Sequence, residues 1–170
     1  ADRHQLASIH LNIGTILQEL GQRKTAQEHY EKTLELNNDN INARLNLGVV
    51  AFQNKDLDNA QRYFREVLDR DESDCRAAVN LAGVLLLQNK AEEGWKFYEK
   101  RAHENTTIMQ QPDQLSIWKG EQINGSLILV HEQGLGDTFQ FIRYANLFKQ
   151  QRIKCLFRGP KKLHSLIKGS

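Results

Sequence analysis

The sequence predicts a mostly α-helical protein, in which an α-solenoid of three helix pairs is followed by a partial α/β segment of strand, helix and strand. Two observations lead to this fold class. Residues 7–108 repeat a pattern of small, large and aromatic residues every 34 positions and carry no strand signal. Residues 127–144 read LILVHEQGLGDTFQFIRY, in which four apolar residues run into a Gly-x-Gly-Asp turn and an amphipathic segment.

The repeats cover residues 7–40, 41–74 and 75–108, which align without a gap and predict a repeat domain over residues 1–108. Each repeat is predicted to form two antiparallel helices, since small residues let two helices approach closely and large ones fill the space between neighbouring repeats. The recurring positions are large at Ile13/Leu47/Leu81, small at Gly14/Gly48/Ala82 and Ala26/Ala60/Gly94, and aromatic at Tyr30/Phe64/Tyr98.

Turns are predicted between the two helices of each repeat, at Gly21, at 54–56 and at 88–90. This arrangement resembles the tetratricopeptide repeat (TPR) family, which implies stacked helix pairs whose first helices line an inner wall. The proline that usually closes such a repeat is absent, because Asn38 and Glu72 stand in its place.

One polar position of the first helix is asparagine in every repeat: Asn12, Asn46 and Asn80. A side-chain amide both donates and accepts hydrogen bonds, so a row of them predicts a concave face that holds the backbone of an extended peptide. The row resembles the inner groove of the TPR superhelix of O-GlcNAc transferase. The alternative is that each asparagine caps or pins a neighbouring helix.

A second inner position argues against a chaperone cofactor. Chaperone-binding TPR proteins clamp a C-terminal carboxylate with lysine and arginine, whereas Leu11, Leu45 and Val79 occupy one relevant inner position here. The predicted partner is therefore a protein or peptide that is held without a carboxylate clamp.

Residues 109–125 are predicted to be a linker and residues 126–170 to be the partial α/β segment. Trp95 and Trp118 are interpreted as packing residues, with stacking on a ligand ring as the alternative. A short connection after the helix predicts that the two strands pair in parallel. The predicted elements are a strand at 126–131, a helix at 137–150, a strand at 153–158 and a short helix opened by Pro160.

The Gly-Leu-Gly-Asp loop matches neither common nucleotide-binding motif. A glycine-rich loop before a helix presents backbone N–H groups that bind anions. The loop that begins at Gly134 lacks the Lys-Ser/Thr pair of a P-loop, and Phe139 stands where the dinucleotide fingerprint needs its third glycine. The second predicted strand ends in Arg158 rather than in an acidic residue for a ribose.

A longer pattern is more specific. GWKFYEKR (94–101) and IWKGEQINGSLILVHEQGLGDTFQFIRY (117–144) resemble a bacterial family of TPR proteins with a C-terminal glycosyltransferase-like domain. The resemblance covers residues 94–170. It implies a GT-B type of fold, related to heptosyltransferases and more distantly to O-GlcNAc transferase, of which residues 126–170 would be the first part of the acceptor-side half.

The resemblance also implies roles for loop residues. Asp137 is the candidate general base for an acceptor hydroxyl, and the alternative is that Asp137 caps the following helix. Gly134 and Gly136 would let the loop approach a sugar or phosphate. The remaining candidates are Gln140 and Arg143, three residues apart on the helix, and His131 and Glu132 at the strand's end.

The sequence ends too early for a complete enzyme of this type. A GT-B enzyme binds its nucleotide-sugar donor mainly in a C-terminal domain, and about 45 residues do not form a complete parallel sheet. We therefore expect residues 1–170 to act as a protein-interaction module that is itself inactive. The alternative is that a longer parent transfers a sugar from a nucleotide-sugar donor to a protein or glycan acceptor.

Composition sets further limits. Residues 1–108 hold 14 Lys and Arg against 17 Asp and Glu, and residues 109–170 hold 9 against 4, too dispersed for a nucleic-acid site. No apolar run is long enough for a membrane span, and no signal-peptide core is present, so a cytoplasmic protein is expected.

Cys75 and Cys155 have no metal-ligand spacing with the six histidines, so no metal or cofactor is expected. An exposed end repeat makes self-association possible.

Overall fold

The computed structural model describes residues 2–103, 116, 118, 120–131 and 134–168. It confirms the predicted fold class, because these residues are mostly helical and include one small two-stranded sheet. The chain divides into two compact units, Ala1–Arg101 and Ala102–Ser170. Within the part of the chain that is described, no helix is both long and apolar enough to cross a membrane.

The first unit consists of three consecutive helix pairs that end in a short 3-10 helix, Glu99–His103. Each helix packs on the one before it and the one after it, so the pairs form a continuous stack. The helices are α1 (Arg3–Glu19), α2 (Arg23–Leu36), α3 (Ile41–Gln53), α4 (Leu57–Leu68), α5 (Cys75–Leu87) and α6 (Ala91–Tyr98). We call α1, α3 and α5 the A helices and α2, α4 and α6 the B helices.

The turns between paired helices lie where the sequence predicts them. Gly21, Lys55 and Asn89 occupy the same position in the three repeats, and all three have a positive φ of 78°, 63° and 60°. A left-handed residue ends the A helix in each case and lets the chain reverse into the B helix. All three repeats thus have the same left-handed backbone conformation at this turn, although only Gly21 is a glycine.

Side-chain caps define where α3 and α5 begin. The Asn40 side chain accepts a hydrogen bond from the N–H of Ala43 at 2.9 Å, and the Asp74 side chain accepts one from the N–H of Ala77 at 3.0 Å. Asn40 and Asp74 are 34 residues apart, so the cap belongs to the repeat.

Glycine in an A helix allows the aromatic residue of the paired B helix to lie against the backbone. A Cβ added at Gly14 would lie 2.6 Å from Cε1 of Tyr30, and one added at Gly48 would lie 2.5 Å from Cε1 of Phe64. Both aromatic side chains are fully buried. The small residue that was predicted to let the paired helices approach is therefore in direct contact with the aromatic residue in the first two repeats.

The core lies between a B helix and the next A helix as much as within each pair. Ala60, Phe64 and Val67 of α4 form one cluster with four residues of α5, and α2 and α3 share a second, smaller cluster. The α5 members of the first cluster are Ala77, Leu81, Val84 and Leu85.

A buried arginine also contributes to the second repeat. The guanidinium of Arg44 donates to Glu66 at 2.8 Å and to the backbone oxygen of Asn38 at 2.9 Å. It thereby joins α3 to α4 and to the turn before α3, and its charge is both paired and hydrogen-bonded, as burial requires.

The second unit contains the predicted parallel strand pair. Strand β1 (Ser126–Val130) pairs with β2 (Lys154–Arg158), with Ile128 opposite Leu156. Ile128 and Leu156 are both exposed, so this face of the sheet stays uncovered.

The helical part of the second unit differs from the prediction of one helix over 137–150. It forms α7 (Leu135–Ile142) and α8 (Ala145–Gln150), and a last helix, α9 (Lys161–Lys168), follows Pro160. Helix α7 starts two residues early, because the Gly134 carbonyl already accepts the N–H of Thr138. The break between α7 and α8 is a tightened turn in which Leu147 N–H bonds to the Tyr144 carbonyl three residues back.

The linker region carries one ordered aromatic contact. Trp118 lies edge-on against Phe148 of α8, and its indole N–H donates to the backbone oxygen of Glu121 at 2.7 Å. Trp118 therefore packs within the second unit, as interpreted from the sequence, although 43% of it stays exposed. Most of the predicted linker, residues 109–115, 117 and 119, lies outside the described residues.

The cap of α5 should give the protein a pH-dependent stability. Burial acts to raise the pKa of Asp74, but hydrogen bonds from Arg76 and from the N–H of Ala77 outweigh it, so the pKa lies below its ordinary value. A depressed folded-state pKa contributes stability above the unfolded-state pKa, and that stability is lost as the pH falls through the folded-state pKa. We predict that Asp74→Ala lowers the free energy of unfolding by ~1–2 kcal/mol at pH 7 and by clearly less below about pH 3.

The control for this prediction is Asn40→Ala, which removes the matching cap of α3 without removing a titratable group. Its cost should be the same at both pH values. Urea unfolding followed by circular dichroism measures all three proteins. An Asp74→Ala cost that is equal at neutral and acidic pH would show that the charge of Asp74 does not contribute.

Candidate functional site

The first candidate site is the face formed by the A helices. Among the described residues, α1 contacts α3 and α3 contacts α5, whereas no comparable contact joins α2 with α4 or α4 with α6. The A helices are therefore closer together than the B helices, which places them on the inside of the curve of the stack. We call the surface of α1, α3 and α5 on this side the inner face.

The three predicted asparagines occupy the same register on the A helices. Asn12 is exposed, and Asn46 and Asn80 are half-buried. Each A helix thus contributes one amide at the position where the sequence pattern places the row.

The environments of the three asparagines differ. The Tyr30 hydroxyl donates to the Gln18 side chain at 2.7 Å, and the side chains of Thr15 and Asn46 lie beside this hydroxyl. Burial of the ring raises the pKa of Tyr30, which keeps the phenol protonated and able to donate. Asn46 therefore lies where the first and second repeats meet.

The third repeat has no equivalent network. Phe64 stands where the first repeat has Tyr30 and offers no hydroxyl, and the Asn80 side chain instead donates to the backbone oxygen of Arg76 at 2.8 Å. That bond uses one amide hydrogen and still leaves the Asn80 amide on a half-buried surface.

The inner face changes from polar to apolar along the stack, which the search for recurring residues missed. One inner position reads Thr15, Val49 and Gly83 in successive repeats. At the next helical turn Phe52 lies beside Gly83, with 3.7 Å between the Phe52 ring and a Cβ added at Gly83. Leu87, at the end of α5, is 63% exposed. The sequence does contain a signal for this apolar end, because the residue at this repeat position changes from polar to apolar. A comparison that looks only for identical residues at each position does not detect such a change.

The position at which a carboxylate clamp would need cations is apolar in the structure as well. Leu45 is buried, and Leu11 and Val79 are half-buried. Leu11 packs against the α2–α3 cluster, so its role is structural.

The second candidate site is the loop between β1 and α7. Asp137 lies in the first turn of α7 and is exposed, with its carboxylate on the positive end of the helix dipole. Since α7 begins at Leu135, Asp137 is within the helix rather than at its N-cap, which differs from the capping alternative. Open space surrounds Gly136, and at Gly134 a Cβ would meet only the Asp137 carboxylate, at 3.6 Å.

The neighbouring candidates fall into two groups. His131 Nδ1 and Thr138 Oγ1 share a short hydrogen bond, which ties the end of β1 to α7. Gln140 and Arg143 are exposed, and the Arg143 guanidinium lies 5.2 Å from the centre of the Tyr144 ring. Glu132 lies outside the described residues. Of the candidate residues in this loop, Gly134 and Asp137 are the two that lie next to each other.

Gly159 is a further close contact that sequence reasoning missed. A Cβ there would lie 2.5 Å from the Phe157 ring and 2.9 Å from Cβ of His131. It lets the end of β2 approach the loop that follows β1.

The chemistry of the remaining polar groups is limited. No cluster of three or more His, Cys, Asp or Glu suited to a metal ion occurs in the part of the chain that the structure describes. Burial raises the pKa of the Cys155 thiol, which disfavours the reactive thiolate.

Comparison with known proteins identifies the first unit. The family model of the tetratricopeptide repeat matches residues 11–74 and 56–100, which together cover more than half of the sequence. The chain therefore belongs to the tetratricopeptide repeat family. A comparison with curated protein sequences finds no significant match.

Solved structures share the fold at low sequence identity. MamA is 15% identical with a TM-score of 0.55, and the match covers 62% of this chain and 61% of MamA. The first TPR of Spaghetti (RPAP3), bound to the HSP90 peptide SRMEEVD, is 20% identical with a TM-score of 0.57, over 59% of this chain and 79% of that one. YrrB, described as a TPR protein with an unusual peptide-binding site, is 23% identical with a TM-score of 0.54, over 61% and 53%. The chain thus spans about three fifths of MamA and half of YrrB.

Proposed function

We propose that the TPR unit is a protein-interaction module that binds an extended peptide segment on its inner face. The observation that supports this proposal is the amide that recurs at one register position of every A helix, at Asn12, Asn46 and Asn80. Amides spaced along stacked helices match the alternating donors and acceptors of an extended backbone. One of the similar structures is described as bound to a peptide and another as having a peptide-binding site, which agrees with this class of function.

In this proposal the three asparagines have two different roles. Asn12 and Asn80 are the amides that bind the peptide, since Asn12 is exposed and Asn80 is held by only one bond to its own helix. Asn46 fixes the surface between them through Tyr30, so that it orients the groove.

The apolar end of the inner face supplies side-chain preference. Val49, Phe52 and Gly83 form an apolar floor, and the exposed Leu87 lies on the same helix as Gly83. We propose that this end holds one apolar side chain of the peptide, whereas the amides hold its backbone. A peptide bound in this way needs no terminal carboxylate, because the inner position at Leu11, Leu45 and Val79 has no cation.

The test starts from peptides selected from a random display library on the 170-residue protein. We expect Asn12→Ala and Asn80→Ala each to weaken the selected peptide by about 2- to 10-fold, which is what one hydrogen bond contributes. Amidating the C-terminus of the peptide should leave its affinity unchanged. Fluorescence anisotropy measures the dissociation constants.

The matched control is Asn59→Ala, the same substitution on the exposed surface of the B helix α4. It should bind the peptide as the unsubstituted protein does. Failure to select any peptide on the folded protein, or equal affinities for all inner-face variants, would contradict the inner face as the site. A strong loss on amidation would instead indicate a carboxylate clamp.

A second candidate function concerns a longer protein that includes this chain. We propose that there the β1–α7 loop belongs to a glycosyltransferase that uses a nucleotide-sugar donor and a protein or glycan acceptor. The parallel strand pair and the exposed carboxylate of Asp137 at the start of α7 support the idea, since ligands bind beyond the carboxyl ends of such strands. The exposed pair Ile128 and Leu156 is a face that further sheet or helix would cover.

In this second function Asp137 would take the proton of the acceptor hydroxyl, and Gly134 and Gly136 would give the sugar or phosphate access to the loop. Gln140 and Arg143, both exposed, would contact the ligand from α7 and its end. The test is sugar transfer by the longer protein with common nucleotide-sugar donors. Asp137→Ala should lower turnover at least ~100-fold, the usual contribution of a general base, without unfolding the protein. Unchanged turnover in this variant would exclude Asp137 as the base.

A further inference from the structure

Helix α1 carries an exposed apolar stripe that has no counterpart on the other A helices. Five aliphatic residues follow one another at intervals of three and four, which places them on one side of the helix. They are Leu6 (37% exposed), Ile9 (51%), Ile13 (37%), Ile16 (56%) and Leu20 (67%). We call this set the α1 stripe.

The internal repeats show how this side of an A helix is normally covered. The positions of Ile9, Ile13 and Ile16 correspond to Ala43, Leu47 and Val50 of α3 and to Ala77, Leu81 and Val84 of α5, all of which are at most 2% exposed. The preceding B helix covers them, since α2 residues pack on Leu47 and Val50 and α4 residues pack on the α5 set. The α1 stripe thus has the positions of a helix-packing surface, and no helix of the described residues covers it.

The composition of the stripe does not fit another B helix in the usual position. Ala43 and Ala77 are small and fully buried where the preceding helix comes close, whereas the same position in α1 is the large Ile9. Leu20 replaces the polar Asn54 and Gln88 at the far end of the stripe. These larger side chains suit a helix that packs at a greater distance.

Helix α1 is also longer than its counterparts. It has 17 residues against 13 in α3 and in α5, because it begins one turn earlier, with Asp2 as its cap. The added turn places Leu6 where the later repeats have their cap residues Asn40 and Asp74. The extension therefore lengthens the apolar stripe rather than the contact with α2.

We propose that the α1 stripe is the interface of a homodimer, in which the α1 helices of two copies pack antiparallel about a two-fold axis at Ile13. Intervals of three and four residues are those of the a and d positions of paired helices. Reversal about Ile13 places Leu6 opposite Leu20 and Ile9 beside Ile16, so the stripe is complementary to itself. A two-fold interface requires this property, because the same patch serves both copies.

Charge and area agree with this pairing. The only Asp, Glu, Lys or Arg residues of α1 are Arg3 at its start and Glu19 at its end, so no charged residue interrupts the α1 stripe. Five half-exposed aliphatic side chains leave on the order of 400 Å² of apolar surface per copy, so a dimer with its polar margin reaches the ~1,000 Å² that a specific interface needs. A patch of this size is comparable to the largest apolar patch on a typical monomer, and such a patch is often functional.

The experiment is sedimentation velocity and light scattering on the 170-residue chain from micromolar to high micromolar concentration. The proposal predicts a dimer, and it predicts that Ile9→Glu combined with Ile16→Glu gives a monomer at every concentration. Both positions are more than half exposed, so the variant should stay folded by circular dichroism. The matched control is Leu87→Glu, which adds a charge at an equally exposed leucine of α5 and should leave the dimer intact.

Cross-linking then tests the geometry. In a Cys75→Ser, Cys155→Ser background, Ile13→Cys should form a disulfide-linked dimer on mild oxidation, because the two thiols would meet at the axis. Leu87→Cys in the same background should not. A monomer at all concentrations, a dimer that survives the double glutamate variant, a dimer that Ile13→Cys does not link, or open-ended assemblies would each overturn the proposal.

Discussion

The contact between an A-helix glycine and a B-helix aromatic ring sets the spacing on which the rest of the TPR unit depends. Gly14 against Tyr30 and Gly48 against Phe64 leave no room for a Cβ, so in the first two pairs the aromatic ring lies directly against the backbone of the A helix. With that spacing fixed, the other side of each B helix is free to cover the next A helix. In the first two repeats the stack therefore depends on a contact inside the repeat, and stacking on a neighbour is how a repeat that cannot bury its own apolar face becomes stable.

The surroundings of the inner-face asparagines depend on the same contact. Because the ring of Tyr30 passes beside Gly14, its hydroxyl reaches Gln18, Thr15 and Asn46 at the inner face. In the second pair Phe64 fills the same space without a hydroxyl, and Asn80 of the next repeat turns to its own helix instead. The presence or absence of this one hydroxyl thus distinguishes the surroundings of Asn46 from those of Asn80.

The repeats were predictable from sequence because their constraint is local and recurs. A period of 34 residues with small and aromatic positions in register predicts the helix pairs and the turns, which the structure confirms at Gly21, Lys55 and Asn89. The different environments of Asn46 and Asn80 were not predictable from the asparagine positions alone, since they depend on a residue of the preceding repeat. In the second unit the parallel strand pair was predicted correctly, but the single helix over 137–150 was wrong. Hydrogen bonds at Gly134 and Tyr144, rather than the apolar pattern, determine where α7 begins and ends.

The most direct test of this account is a double-mutant cycle between Gly48 and Phe64, measured as free energies of unfolding. Gly48→Ala should lower stability by ~1–3 kcal/mol through overpacking, although alanine is the better helix former by ~1 kcal/mol. Gly83→Ala is the control, since a Cβ there meets only an ordinary 3.7 Å contact and should stabilise α5. Adding Phe64→Leu should relieve the clash, so that the double variant loses less than the two single losses combined, by at least ~0.5 kcal/mol. If Gly48→Ala instead stabilises the protein as Gly83→Ala does, or if the two losses simply add, the glycine–aromatic contact does not set the helix spacing.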